Sequence, residues 1–298
     1  MSKQPMAEVF GFPINNISLE ASRNRVDRLC PYNNKVPNCT KDKANNPLGV
    51  CSVFDGDNTS PVITCPIRFR ENWLISGAAA RFFFPEGTHW TSLTEVRLPD
   101  KYGKSAGNID LVLVSYDDSG QVIDFGSCEV QAVYISGNIR KPYEYFMEDP
   151  KSRSEMDWEG RQHYPNPDFL SSSRKRLAPQ LLFKGGILNS WGKKQVVVLD
   201  APFYETLPKL PTVPADEADL AWLVYELVLN AGSGRYDLIL KETVYTKFAP
   251  TMLTVTTAEP GLVGDFIAKL QIRLDAKMEI NAPDAPTLSE VLTQEGAE

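Results

Sequence analysis

The chain lacks any apolar run approaching the ~18–20 residues that a membrane span requires. It also lacks a secretory signal, since Met1–Pro13 is too short and too polar to supply the apolar centre of one. Both absences predict a cytoplasmic protein with no membrane partner, in a compartment where disulfides are rare. There is no internal repeat, and no clear linker separates two domains. Nor is there an excess of positive charge: 31 Lys and Arg face 38 Asp and Glu, for a formal net charge of −7. Taken alone, that acidity opposes a polyanionic partner. Hydrophobic residues at 42% and charged residues at 23% exclude a disordered or collagen-like chain. Five cysteines in 298 residues exclude a disulfide-dense miniprotein.

What is present is unevenly placed. Residues 1–200 hold 24 basic and 23 acidic side chains, whereas residues 201–298 hold 7 and 15, so the net acidity belongs to the C-terminal third. Residues 161–194 carry 7 basic and 1 acidic side chain, and residues 21–43 carry 6 and 2. Local charge decides whether a phosphate backbone can dock. A nucleic-acid binder of this composition must present those two segments and turn its acidic C-terminal elements away.

Four of the five cysteines, Cys30, Cys39, Cys51 and Cys65, fall in a segment rich in Pro, Asn and Gly with little periodicity. Their spacing, C-x8-C-x11-C-x13-C, is not the paired C-x2-C of a zinc knuckle. Four thiolates can nevertheless close a tetrahedral shell around Zn2+ or a single Fe, and such a site would staple a loop-rich module. The alternative is four reduced thiols, some packed as small hydrophobes. Cys128 lies apart, in a strand, and reads as a core residue.

Ser18 caps an expected helix over 18–29, and a second helix is expected over 70–84. From about residue 90 the period changes to that of strands. Leu93–Leu98, Ile109–Val114, Gln121–Phe125 and Cys128–Ile135 form an antiparallel meander, with a turn at Asp117–Gly120. Residues 136–195 are polar, Pro-rich and basic, with a helix near Ser172–Phe183, followed by a strand at Gln195–Leu199. Ala215–Asn230 reads as a helix with Asp216, Glu217 and Asp219 in its first turn. Arg235–Thr246 reads as a strand, Pro260–Met278 as a last helix, and the tail from Asn281 as frayed.

Asp110 opens an apolar strand, and nineteen residues later comes Glu129-Val130-Gln131. Side chains at i and i+2 share a strand face, so Glu129 and Gln131 point together, and a meander can bring Asp110 alongside. Two carboxylates on one face make a hard-oxygen site suited to Mg2+. This is the layout of the PD-(D/E)xK nuclease core, with Gln in the last slot. The literal Pro99-Asp100 pair is a decoy, because a Lys/Gly loop follows it rather than an apolar strand.

Several segments together resemble the NotI-type restriction endonucleases, including the shorter EagI-like members. They are Cys-Pro-Tyr-Asn-Asn-Lys at 30–35, Pro-Asn-Cys-Thr at 37–40, Pro-Leu-Gly-Val-Cys at 47–51 and Cys-Pro-Ile-Arg-Phe at 65–69. Gly-Lys-Ser-Ala-Gly-Asn-Ile-Asp at 103–110 and Glu-Val-Gln-Ala-Val-Tyr at 129–134 complete the set. The resemblance covers roughly residues 20–135. It implies an α/β fold, with a mixed sheet flanked by helices around a PD-(D/E)xK core over residues 70–298. An N-terminal helix and four-cysteine metal-binding module would occupy residues 1–69. It implies a bacterial type II site-specific deoxyribonuclease, a homodimer cutting double-stranded DNA at a GC-rich palindrome with a CGGCCG core. Mg2+ would sit at Asp110 and Glu129, with Gln131 in the slot usually held by Lys and Glu95 as an upstream acidic residue. A single iron, or zinc, would sit at Cys30, Cys39, Cys51 and Cys65. A cognate DNA methyltransferase is expected in the same genome, because the host must protect its own sites.

Arg174-Lys175-Arg176, with Lys104, are the candidate DNA contacts, since Arg reads guanine bidentately in the major groove. Two other readings remain open at this point. One is a non-catalytic DNA-binding protein built on the four-cysteine site. The other is an intracellular metal or redox sensor using the cysteines reversibly.

Overall fold

The structure is a computed structural model that describes residues 4–43, 46–56, 60–258 and 260–280. The expected frayed tail from Asn281 lies outside the described residues. The chain divides into two compact units, Met1–Thr256 and Thr257–Glu298. In the second, the expected last helix is an 18-residue helix, Val263–Ile280. No described helix is long and apolar enough to cross a membrane.

The first unit opens with strands β1 (Met6–Val9) and β2 (Phe12–Pro13) and helix α1 (Leu19–Val26). Ser18 caps α1, its side chain accepting from the Ala21 N–H. A two-residue ribbon follows, β3 (Asp42–Lys43) and β4 (Asn46–Pro47), then β5 (Val50–Phe54) and β6 (Pro61–Ile63). Strands β2-β1-β5-β6 form a small antiparallel sheet. A 3-10 stretch, Pro66–Trp73, leads into α2 (Leu74–Phe83).

The meander then appears as expected: β7 (Trp90–Pro99), β8 (Ser105–Tyr116) and β9 (Val122–Val130), paired antiparallel in that order. Strand β9 is continuous where the sequence reading placed two segments. Gly126 makes this packing possible, because a Cβ there would stand 2.5 Å from the Phe83 ring of α2. Strand β10 (Tyr134–Ser136) turns away to pair with β11 (Asn166–Asp168), with α3 (Arg140–Glu148) between them. The sequence reading did not separate α3 from its polar surroundings.

Residues 169–190 form one irregular helical stretch. It runs as α4 (Phe169–Ser172), a π turn (Ser173–Leu177), α5 (Ala178–Gln180), a second π turn (Leu181–Gly185) and α6 (Gly186–Ser190). Pro179 lacks an N–H and crowds the preceding turn, and Gly185-Gly186 follows; together they account for the widened geometry. Strand β12 (Gln195–Asp200) and a single turn, α7 (Ala201–Tyr204), come next.

Residues 220–230 correct the expectation of a helix over 215–230: they are β13 (Leu220–Asn230). Leu220–Tyr225 is buried at every position, between β12 on one side and β14 (Arg235–Thr246) on the other. A strand covered on both faces is apolar without alternation, and that pattern imitates a buried helix. Asp216, Glu217 and Asp219 therefore occupy a loop, and Asp219 accepts from the Phe248 N–H that opens α8 (Phe248–Thr256).

The main sheet has the order β14-β13-β12-β9-β8-β7. The pairs β9–β12 and β12–β13 are parallel and the rest antiparallel, so the sheet is mixed and flanked by helices. Alternation along β12 and β13 divides the core between the two faces. Val197, Leu199 and Trp222 join Met6, Phe10 and Val53 on one side. Val196, Val198 and Leu223 join Ala79 and Phe83 of α2 on the other. Cys128 is fully buried in this second cluster, a core residue as expected.

Candidate active site

Leu111 pairs with Cys128 at the end of the β8–β9 ladder, so one step further Asp110 stands opposite Glu129. The Asp110 Oδ2 accepts from the Val130 N–H at 2.9 Å, which fixes the carboxylate against β9. Glu129 and Gln131 are 5% and 6% exposed, far from the solvated pair that an incidental Glu-x-Gln would form. The parallel partner β12 holds this end in place: Val197 faces Glu129, and the Gln131 N–H donates to Val198 O. Gln131 Nε2 donates to Ala132 O, which leaves the amide oxygen as the free acceptor.

Glu95 lies on β7 between Thr94 and Val96, whose partners are Leu111 and Ile109, so it faces Asp110 across the ladder. Its φ is +57°, a left-handed conformation in mid-strand for a residue with a side chain. Strain of this kind persists only where surrounding structure enforces it, and it concentrates at functional sites.

Two cavities meet at Asp110. One, of about 240 Å³, is lined by Glu95 and Asp110 together with Lys35 and Arg70. The other, of about 410 Å³, is lined by Asp110, Gln131, Tyr134 and Arg176. The fold thus lines one trough with Asp110, Gln131 and Glu95, while Glu129 is buried beside Asp110 and lines neither cavity. Arg176 reaches it, with its guanidinium 4.3 Å above the Tyr134 ring. Arg174 and Lys175 are exposed on the same π turn. Lys104 is exposed at the β7–β8 turn, where its N–H donates to Asp100 Oδ1. Asp100 also accepts from the Tyr102 N–H, which makes it a turn residue.

The sequence reading missed Lys184. The second π turn delivers it to Glu129, 5% exposed, with Nζ 2.6 Å from Glu129 Oε2 and 2.8 Å from Asn108 O. Gly107, at φ +122°, lies beneath its stem, and a Cβ there would stand 3.3 Å from Lys184 Cδ. The only signal in the sequence was a lone Lys among apolar residues of a broken helix. Burial, and then the neighbouring Asp110, push the Glu129 carboxyl up to about 8, while Lys184 opposes the rise. Glu129 Oε1 is buried with no hydrogen-bond partner. A buried, unfilled acceptor beside a second carboxylate is a fitting place for a hard cation.

Cys30, Cys39, Cys51 and Cys65 all line one further cavity of about 10 Å³. The Leu29–Asn38 bridge draws the first two together, and the Thr64 N–H donating to Cys51 O draws the second two. Burial, reinforced by the neighbouring sulfurs, pushes the Cys30 thiol up to about 11 and Cys51 well above the ordinary range. Among the described residues, no group of three or more His, Cys, Asp or Glu side chains is close enough to hold a metal ion. Four cysteines around one small space supply the ligand type that a thiolate site for zinc or iron would need.

No curated protein matches the chain. A family model described as restriction endonuclease NotI matches residues 8–238, a span that contains every carboxylate, cation and cysteine of the sites above. The chain belongs to the NotI restriction endonuclease family.

Proposed function

We propose that this restriction endonuclease, which family membership makes a type II enzyme acting on double-stranded DNA, hydrolyses phosphodiesters at the trough through Asp110 and Glu129. The observation that carries the reading is the buried, unpartnered Oε1 of Glu129 beside Asp110. In this reading Asp110 and Glu129 hold Mg2+ within a PD-(D/E)xK core. Bound there, the ion supplies activation of water and stabilisation of charge on the scissile phosphate. Lys184 grips Glu129 Oε2, which would leave Oε1 free to ligate. Gln131 cannot take a proton and orients the attacking water through its amide oxygen. Glu95 completes the acidic rim. The products are 5′-phosphate and 3′-hydroxyl ends.

Arg176, with Arg174, Lys175 and Lys104, contacts the duplex. A two-fold dimer sets one trough on each strand of a GC-rich palindrome with a CGGCCG core. Residues 1–69 form a module in which Cys30, Cys39, Cys51 and Cys65 hold iron or zinc in a structural role, while residues 70–298 carry catalysis. A cognate methyltransferase protects the host, and the enzyme works in the bacterial cytoplasm.

Incubation with plasmid DNA tests the reading. Discrete fragments with Mg2+ and none with EDTA are expected, and Asp110→Asn and Glu129→Gln should each lower cleavage by at least about 10³-fold, the scale of losing a principal electrostatic group. Full cleavage by both variants would sink the assignment. Elemental analysis of folded protein checks the cysteine site, and the absence of both iron and zinc would remove it.

A further inference from the structure

The cavity of about 240 Å³ is lined by two carboxylates, Glu95 and Asp110, and by two cations, Lys35 and Arg70. Neither cation has a carboxylate partner among the described residues. Each comes from the flank of a cysteine. Lys35 lies in the loop between Cys30 and Cys39, and Arg70 in the 3-10 stretch that begins directly after Cys65.

The loop is ordered by short-range bonds: Cys30 N–H donates to Pro37 O, and Lys35 N–H donates to Asn33 Oδ1. Lys35 Nζ then reaches across to donate to Thr94 Oγ1 at 2.7 Å, one residue from Glu95. Arg70 is half-buried two residues beyond Arg68, which is fully buried and bonded to Glu8 and Glu71. Both cations are therefore carried on anchored backbone. The second cavity has its own cation, Arg176. A polyanion lying along the trough meets Arg176, then the carboxylates, then Lys35 and Arg70.

We propose that Lys35 and Arg70 form a phosphate clamp on the DNA strand being cut, each holding a backbone phosphate beside the scissile one. The proposal rests on the nuclease reading above and adds a substrate-gripping role for the loop between the first two cysteines. Two cations without carboxylate partners and two carboxylates lining one cavity suit a ligand whose anionic oxygens are held partly by cations and partly through a metal. A phosphodiester backbone has that character.

The clamp is tested by binding rather than cutting. Fluorescence anisotropy of a short GC-rich duplex carrying CGGCCG, with Ca2+ in place of Mg2+, gives Kd across a salt series. Each phosphate contact contributes about 0.9 to the slope of log affinity against log salt. Lys35→Ala and Arg70→Ala should each flatten the slope by about that amount, and Lys209→Ala, on an exposed loop, should not. Thr94→Val separates the clamp from a mere staple, because it breaks the Lys35–Thr94 bond and keeps the charge. A clamp predicts that Thr94→Val leaves the slope intact, while a staple predicts that it reproduces Lys35→Ala. Lys35→Gln serves where alanine unsettles the loop, with melting temperature as the check on folding. Folded Lys35 and Arg70 variants with unaltered slopes would overturn the clamp while wild-type binding and cleavage keep the nuclease reading. A wild-type protein that neither binds nor cuts the duplex would overturn both.

Discussion

Two buried ion pairs among the described residues, Arg68–Glu8 and Lys184–Glu129, are built to opposite standards. In the first, Arg68 and Glu8 are fully buried, and every charged group is saturated. Arg68 Nε lies 3.1 Å from Glu8 Oε1, its terminal nitrogens donate to Glu71 and to Tyr236 O, and its plane lies 4.2 Å above the Tyr32 ring. Glu8 also accepts from the Ser52 hydroxyl at 2.7 Å. In the second, Lys184 and Glu129 are almost as buried, yet Glu129 keeps one oxygen without a partner. Desolvating charge is costly, and a pair that exists only to stabilise a fold fills every site. The difference teaches how to tell a brace from a site. The brace closes its hydrogen bonds within the chain, and the proposed site keeps one oxygen of Glu129 without a partner.

The comparison breaks most sharply at Arg68. Arg68→Met leaves Glu8 as an uncompensated charge among apolar neighbours, and one-sided loss of a buried pair costs about 3–5 kcal/mol. It also releases the backbone of β14 at Tyr236 and the stack on Tyr32. Thermal and denaturant unfolding should show the loss with or without Mg2+. A destabilisation below ~1 kcal/mol would mean that Arg68 is not the brace described here.

Lys184→Met should cost less, about 2 kcal/mol, on the scale of one unsatisfied buried group. Glu129 is already pushed up to about 8, so without Lys184 it holds a proton and no bare charge remains. Mg2+ should stabilise Arg68→Met as much as wild type, because its Asp110–Glu129 site is intact, and Lys184→Met by less, because nothing then holds Glu129 in place. Paired melting curves decide the point. Equal responses of the two variants to Mg2+ would erase the distinction between brace and site.

The same contrast explains what the sequence disclosed. Asp110 and Glu129 were legible because the meander is local: alternation, a turn at Asp117 and a spacing of nineteen residues bring them together. Ser18 was legible as a cap for the same reason. Lys184 was not, because its partner lies 55 residues away and its helix is interrupted by Pro179 and two glycines. Strand β13 was misread because burial on both faces removes the alternation that marks a strand. Arg68 reads from sequence as one more basic residue after Cys65, since Glu8 and Tyr236 reach it only through the tertiary fold.

A third buried carboxylate sharpens the comparison with the smallest expected effect. Asp200, at the end of β12, is 1% exposed and pairs with no cation among the described residues. Its oxygens accept from the Ile63 N–H at 2.6 Å and the Phe203 N–H at 3.2 Å. Burial outweighs these donors and pushes the carboxyl up to about 7. The folded chain therefore keeps a proton that the unfolded chain releases near the ordinary aspartate value of about 3.9. Between about pH 4 and pH 7 the folded state binds more protons, so this group lowers stability as pH rises, and its effect levels off above about 7. Asp200→Asn cannot ionise, but its amide must turn an NH2 toward one of the two backbone donors. It should cost about 1 kcal/mol near pH 5 and less near pH 8, as the wild-type group ionises and gives up its advantage. Unfolding free energies measured across that range give the answer. A cost that grows toward pH 8 would show that Asp200 is held as a carboxylate by its N–H donors. A buried carboxylate in this chain would then need neither the cation that saturates Glu8 nor the one that half-satisfies Glu129.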